Sequence, residues 1–125
     1  MSSNDAVVFD ASAVLALLQA EKGADKLRKL QSRALIDAVN LAELVAKLVN
    51  HGMPLSEARA AEGALHLVAT PFDAALAADS ALYVRKGILL GGRCFLAAAQ
   101  RHGTGWTSDR ELTVHFGRSG LRCFR

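Results

Sequence analysis

The sequence predicts an α/β fold: a small central parallel sheet flanked by helices on both faces. Short apolar runs, "VVF" (7–9), "RALIDAV" (33–39) and "GTGWTS" (103–108), alternate with stretches whose apolar residues recur at helical spacing. Strands alternating with helices build parallel sheets covered on both sides. The chain has 125 residues, 51% of them hydrophobic, enough for one domain with a real core.

The elements follow in order. A strand over 6–9 leads into a helix ending at Ala20, and a second helix spans 22–31 with Leu27 and Leu30 on one side. "RALIDAV" is the second strand. A third helix starts near Asn40, where Leu41, Leu44, Val45, Leu48 and Val49 form an apolar stripe, and His51, Gly52 and Pro54 end it. The next helix covers 55–67, and "VATPFD" (68–73) reads as an extended link. Helices over 73–86 and 92–102 precede the strand "GTGWTS", and "LRCFR" (121–125) reads as an edge strand. With no repeat, linker or low-complexity segment, residues 1–125 read as a single domain.

Composition excludes several classes. No apolar stretch reaches the roughly 18 residues a membrane span needs, and "MSSND" has no basic residue ahead of an apolar core. Cys94 and Cys123 fit a reduced cytoplasm better than a disulfide scaffold, and no Cys/His spacing makes a zinc site. A cytoplasmic protein is expected, with no membrane role. Neither G-x-x-x-x-G-K-[ST] nor G-x-G-x-x-G follows a strand, which leaves a nucleotide-binding domain without support. The net charge is +3, with basic residues concentrated from Arg85 onward, where only Asp109 and Glu111 oppose them. Such a bias serves phosphate or acidic partners, or it is a solvated face.

Ligands of parallel sheets bind beyond the carboxyl ends of the strands. Asp10 ends the first strand, Asp109 follows "GTGWTS", and Glu43 lies near the start of the third helix. Each has an ordinary explanation: Asp10 and Asp109 as helix N-caps, and Glu43 as the capping-box partner of Asn40 or an ion-pair partner of Lys47. Capping does not explain why three acids should gather at one rim. Three converging carboxylates would suit Mg²⁺ or Mn²⁺, ions that activate water and stabilise phosphodiester charge.

Taken together, "VVFDASAVLALL", "AVNLAELVAKL" and "LLGGRCFLAAAQRHGTGWTSDREL" resemble, in order and end to end, a PIN domain of the VapC toxin type. The resemblance implies a PIN-like fold and a metal-dependent ribonuclease toxin neutralised by a small antitoxin encoded alongside. It carries the family's acids onto Asp10, Glu43 and Asp109. Ser12 and Thr107 match hydroxyl positions near the metal, and Asn40 matches a polar neighbour. One departure is plain. Where such proteins carry "LSLGDR", this chain has "ILLGGR", so Gly92 stands in place of an acid and Leu89 in place of a serine. Asp79 and Asp73 are no substitute, one lying mid-helix and the other at a helix start.

Arg93 and Arg110 are the candidate contacts to an RNA backbone. His51, His66, His102 and His115 show no ligand spacing, and Phe95, Trp106 and Cys94 read as packing residues. The expected function is thus a Mg²⁺- or Mn²⁺-dependent endoribonuclease toxin, homodimeric, with an early-helix groove for its antitoxin and cleavage impaired at Gly92. The alternative is a catalytically inactive binding module of the same fold.

Overall fold

The computed structural model describes residues 6–117 and 120–125. Five strands, β1 (Val7–Phe9), β2 (Ala34–Asp37), β3 (Val68–Thr70), β4 (Thr104–Thr107) and β5 (Leu121–Cys123), form one all-parallel sheet in the order β3-β2-β1-β4-β5. Around it, among the described residues, lie seven helices: α1 (Ala11–Gln19), α2 (Ala24–Leu30), α3 (Ala38–Asn50), α4 (Leu55–Gly63), α5 (Ala74–Ser80), α6 (Leu90–His102) and α7 (Arg110–Phe116). None of the described helices is long and apolar enough to cross a membrane.

The strand β1 is central because all three of its residues are apolar and both faces can be covered. Its side chains alternate between faces. Val7 and Phe9 enter a core with Ile36 of β2 and with Val14, Leu27 and Leu44, which α1 to α3 supply. Val8 points the other way, into a core with Phe95, Leu96, Leu112 and Leu121. In register, Phe9 lies opposite Trp106 and Val8 opposite Leu35, so β1, β2 and β4 end at a common rim.

Several elements differ from the sequence expectation. "VATPFD" is not a plain link: Val68–Thr70 pairs with β2 as edge strand β3, with Leu35 opposite Val68. Helix α3 starts at Ala38, not near Asn40, because the Asp37 side chain caps it and accepts from the Asn40 backbone N–H at 2.9 Å. The capping box of Asn40 and Glu43 therefore does not form. Helix α5 stops at Ser80 and gives way to a 3₁₀ turn over Ala81–Tyr83, short of the expected residue 86. The segment "DREL" opens a full helix, α7, rather than a turn. Helix α6 begins at Leu90, two residues early, which places Gly92 at its third position.

Candidate functional site

The rim of β1, β2 and β4 opens into a cleft of about 290 Å³. Asp10, Ser12, Asn40, Glu43, Gly92 and Asp109, all expected near a site from sequence, line it together. Thr107 lies just behind, fully buried on β4.

Asp10 sits at the junction of β1 and α1. It caps α1 by accepting from the Ala13 N–H at 2.9 Å through Oδ1, which also accepts from Ser12 Oγ at 2.6 Å. Its Oδ2 accepts from Thr107 Oγ1 at 2.6 Å. The same hydroxyls reach onward: Ser108 N–H donates to Ser12 Oγ at 3.1 Å, and Asp109 N–H donates to Thr107 Oγ1 at 3.0 Å. These bonds tie the β1–α1 junction to the β4–α7 junction. Asp10 is thus both a cap and a cleft residue. Burial holds its carboxyl above the usual aspartate range, while the Ser12, Thr107 and Ala13 bonds pull it down and nearby Asp109 adds a small upward push.

Asp109 has the same double duty. Its Oδ1 caps α7, accepting from Glu111 N–H at 2.9 Å and Leu112 N–H at 3.3 Å, and the residue stays exposed at the cleft mouth. Glu43 approaches from α3, with its carboxylate packed directly against Gly91 at the start of α6. A Cβ at Gly91 would run into that carboxylate, so Glu43 can lie this close only because position 91 is glycine; any larger residue would turn the flexible Glu43 side chain aside. Gly92 is different: an added Cβ would meet only Ile88 Cγ2, at 3.0 Å. Leu89 takes the cap position of α6 and makes no side-chain bond to the helix.

Asn40 holds three of these elements together. Its Oδ1 accepts from the Ala11 N–H at 3.1 Å, and its Nδ2 donates to Asp37 Oδ2 at 2.7 Å and to the Gly91 carbonyl at 2.9 Å. The starts of α1, α3 and α6 are therefore fixed to one buried amide. Asp37, its partner, is wholly buried, and that burial raises its carboxyl above the usual range against the pull of the Asn40 bonds. Sequence reasoning missed Asp37 by placing it inside a strand. The D-x-x-N spacing ahead of an apolar stripe was the available signal.

Arg93 and Arg110 do not line the cleft. The Arg93 Nε is buried without a hydrogen-bond partner, and Arg110 is exposed at the first position of α7. Cys94 and Phe95 are buried, and Trp106 packs half-buried against the α1–α3 core, all consistent with packing roles. Lys47, which the sequence paired with Glu43, makes no ion pair among the described residues and lines the cleft instead.

As placed, the carboxylates do not form a ready-made cage for a divalent ion. Among the described residues no group of three His, Cys, Asp or Glu side chains is disposed to hold one. Both Asp10 oxygens already accept hydroxyl or amide donors, Glu43 leans on Gly91, and position 92 supplies no oxygen. Asp10, Glu43 and Asp109, the acids expected from sequence, thus share one cleft lining. What remains is a small polar cleft, acidic on three sides, at the strand ends of a parallel sheet.

Among family models, that of the PIN domain matches residues 7–113, from the first residue of β1 into α7. No curated protein matches the chain.

Proposed function

The chain belongs to the PIN-domain family, whose members are generally nucleases, and from that premise we propose that it is a ribonuclease toxin of the VapC type, with RNA as its substrate and divalent-ion-dependent cleavage severely impaired by Gly92. The observation that carries this reading is the cleft itself: Asp10, Glu43 and Asp109 line it together with Gly92, the position that lacks an acid. In the proposed protein the hydrogen-bonded turns at Asp10 and Asp109 keep the carboxylates rigid, so little reorganisation accompanies substrate binding. Mg²⁺ or Mn²⁺ would supply charge neutralisation and an activated water when bound. The chain's own acids hold such an ion weakly, because the ligand set is short by one.

The proposed antitoxin would dock on the early helices. Leu41, Val45 and Leu55 of α3 and α4 line an apolar groove of about 570 Å³, with Arg59 and Glu62 at its side. A groove of that kind accepts an apolar helix face or an extended segment. The homodimer belongs to the same reading and is checked by light scattering at micromolar concentration. The alternative, an inactive binding module, is favoured by the absence of a three-acid metal group among the described residues.

The test is cleavage of single-stranded RNA by the purified protein with Mg²⁺ or Mn²⁺ and with EDTA. Slow cleavage abolished by EDTA is the expected result. Cleavage indifferent to EDTA would overturn the proposed chemistry, and no cleavage at any ion concentration would decide for the binding module.

A further inference from the structure

A nucleic-acid strand entering this cleft meets three carboxylates, and each repels a phosphate. Some cation must offset that repulsion where the strand lies deepest. Three basic residues of the C-terminal part are engaged elsewhere. Arg101 is held between Asp73 and Asp79, Arg125 pairs with Glu21, and Arg85 lies over the Phe116 ring at 5.8 Å. Arg93 and Arg110 are outside the cleft lining.

Lys47 is, among the described residues, the one basic side chain in that lining. It stands one helical turn beyond Glu43 on the same face of α3, exposed and without an ion pair. Helix α3 is anchored by Asp37 and Asn40, so its backbone is fixed relative to the Asp10 rim. The lysine stem is free to move, and a compact ammonium on a flexible stem suits a single phosphate of unspecified sequence.

Resting on the ribonuclease reading above, we infer that Lys47 is the phosphate-binding residue of the cleft and seats one backbone phosphate of single-stranded RNA beside the acids. It is a binding residue that sets where the strand lies, and it takes no part in proton transfer. The assignment moves the main RNA contact from the arginines at 93 and 110 to a side chain of the third helix.

The experiment is fluorescence anisotropy of an end-labelled single-stranded RNA, in EDTA so that no cleavage intervenes, over ~50 to ~200 mM salt. Lys47→Gln should weaken binding about 5-fold and reduce the salt slope by ~0.7, the value for one phosphate on a single strand. Lys47→Arg should keep both affinity and slope, because the charge is retained. Lys22→Gln, at an exposed lysine away from the cleft, should behave as the parent protein does. A parent that binds RNA while Lys47→Gln matches it in affinity and slope overturns this assignment alone. A parent that fails to bind RNA even at low salt overturns the ribonuclease reading and this assignment with it.

Discussion

Replacing Gly92 by aspartate tests whether this glycine is a missing acid. Gly92 is the third residue of α6 and faces the cleft, and its added Cβ would approach only the Ile88 Cγ2 methyl at 3.0 Å. That methyl branches directly from the Ile88 Cβ, so the Ile88 side chain must shift as a unit by a few tenths of an ångström to relieve the contact. Removing a glycine from a helix and replacing it with aspartate gains ~0.3 kcal/mol of helix propensity. A carboxylate in the first turn adds about 0.3–1 kcal/mol through the helix dipole. Repulsion from the neighbouring acids, about 1 kcal/mol for one pair at ~4 Å in water, works against both. The net change in stability is therefore below ~1 kcal/mol, and the fold survives. The chemistry changes far more, because the new carboxylate supplies the oxygen ligand that position 92 lacks. Groups acting in the transition state are commonly worth factors of ~100 or more, so Gly92→Asp should raise Mg²⁺-dependent RNA cleavage at least ~100-fold. The assay compares both proteins on one RNA under identical metal and salt, with Gly92→Ala to separate the carboxylate from the Cβ. Equal rates for well-folded parent and Gly92→Asp, or an equal gain from Gly92→Ala, would refute the reasoning.

Three further outcomes are expected. Gly91→Ala, one residue away, should push the Glu43 carboxylate aside, because an added Cβ runs into it and that flexible side chain can give way; displaced Glu43 resonances with little change in melting temperature would show it, and unmoved Glu43 resonances would contradict the packing. Asn40→Ala should cost at least ~2 kcal/mol, since the Ala11 N–H, the Gly91 carbonyl and Asp37 all lose a buried partner; urea unfolding should show a lower midpoint at unchanged slope. Asp37→Ser should retain a helix cap and remove a buried carboxylate, but it leaves the Asn40 amide one bond short, so its effect on stability depends on pH. The sign follows from burial: with the folded carboxyl raised, the folded state binds its proton more tightly, so parent stability falls as pH rises from about 4 through that raised value. Relative to the parent, Asp37→Ser should therefore gain stability as pH rises above about 4 and be pH-independent below it, which urea melts at several pH values would check.

The sequence by itself determined the fold class, most of the elements and the order of the motifs. Apolar runs of strand length and the α3 stripe at Leu41, Leu44, Val45 and Leu48 are local patterns, readable without knowing what they touch. It also determined which residues to follow to the rim, because parallel strands end on one side and Asp10, Glu43 and Asp109 each trail or neighbour a strand end. Tertiary structure decided the rest. Val68 and Ala69 are exposed and β3 has only three residues, so no periodicity marks it; pairing with β2 alone makes it a strand. Asp37 carries no local sign of burial, and its role emerges only where Asn40 bridges α1, α3 and α6. Whether three acids make a metal cage is likewise a matter of fractions of an ångström between distant segments. Here the hydroxyls of Ser12 and Thr107 take up the Asp10 oxygens and Gly91 receives Glu43. Lys47 faces the cleft because α3 is pinned in place, and sequence spacing, which sees only neighbours on one helix, paired it with Glu43 instead.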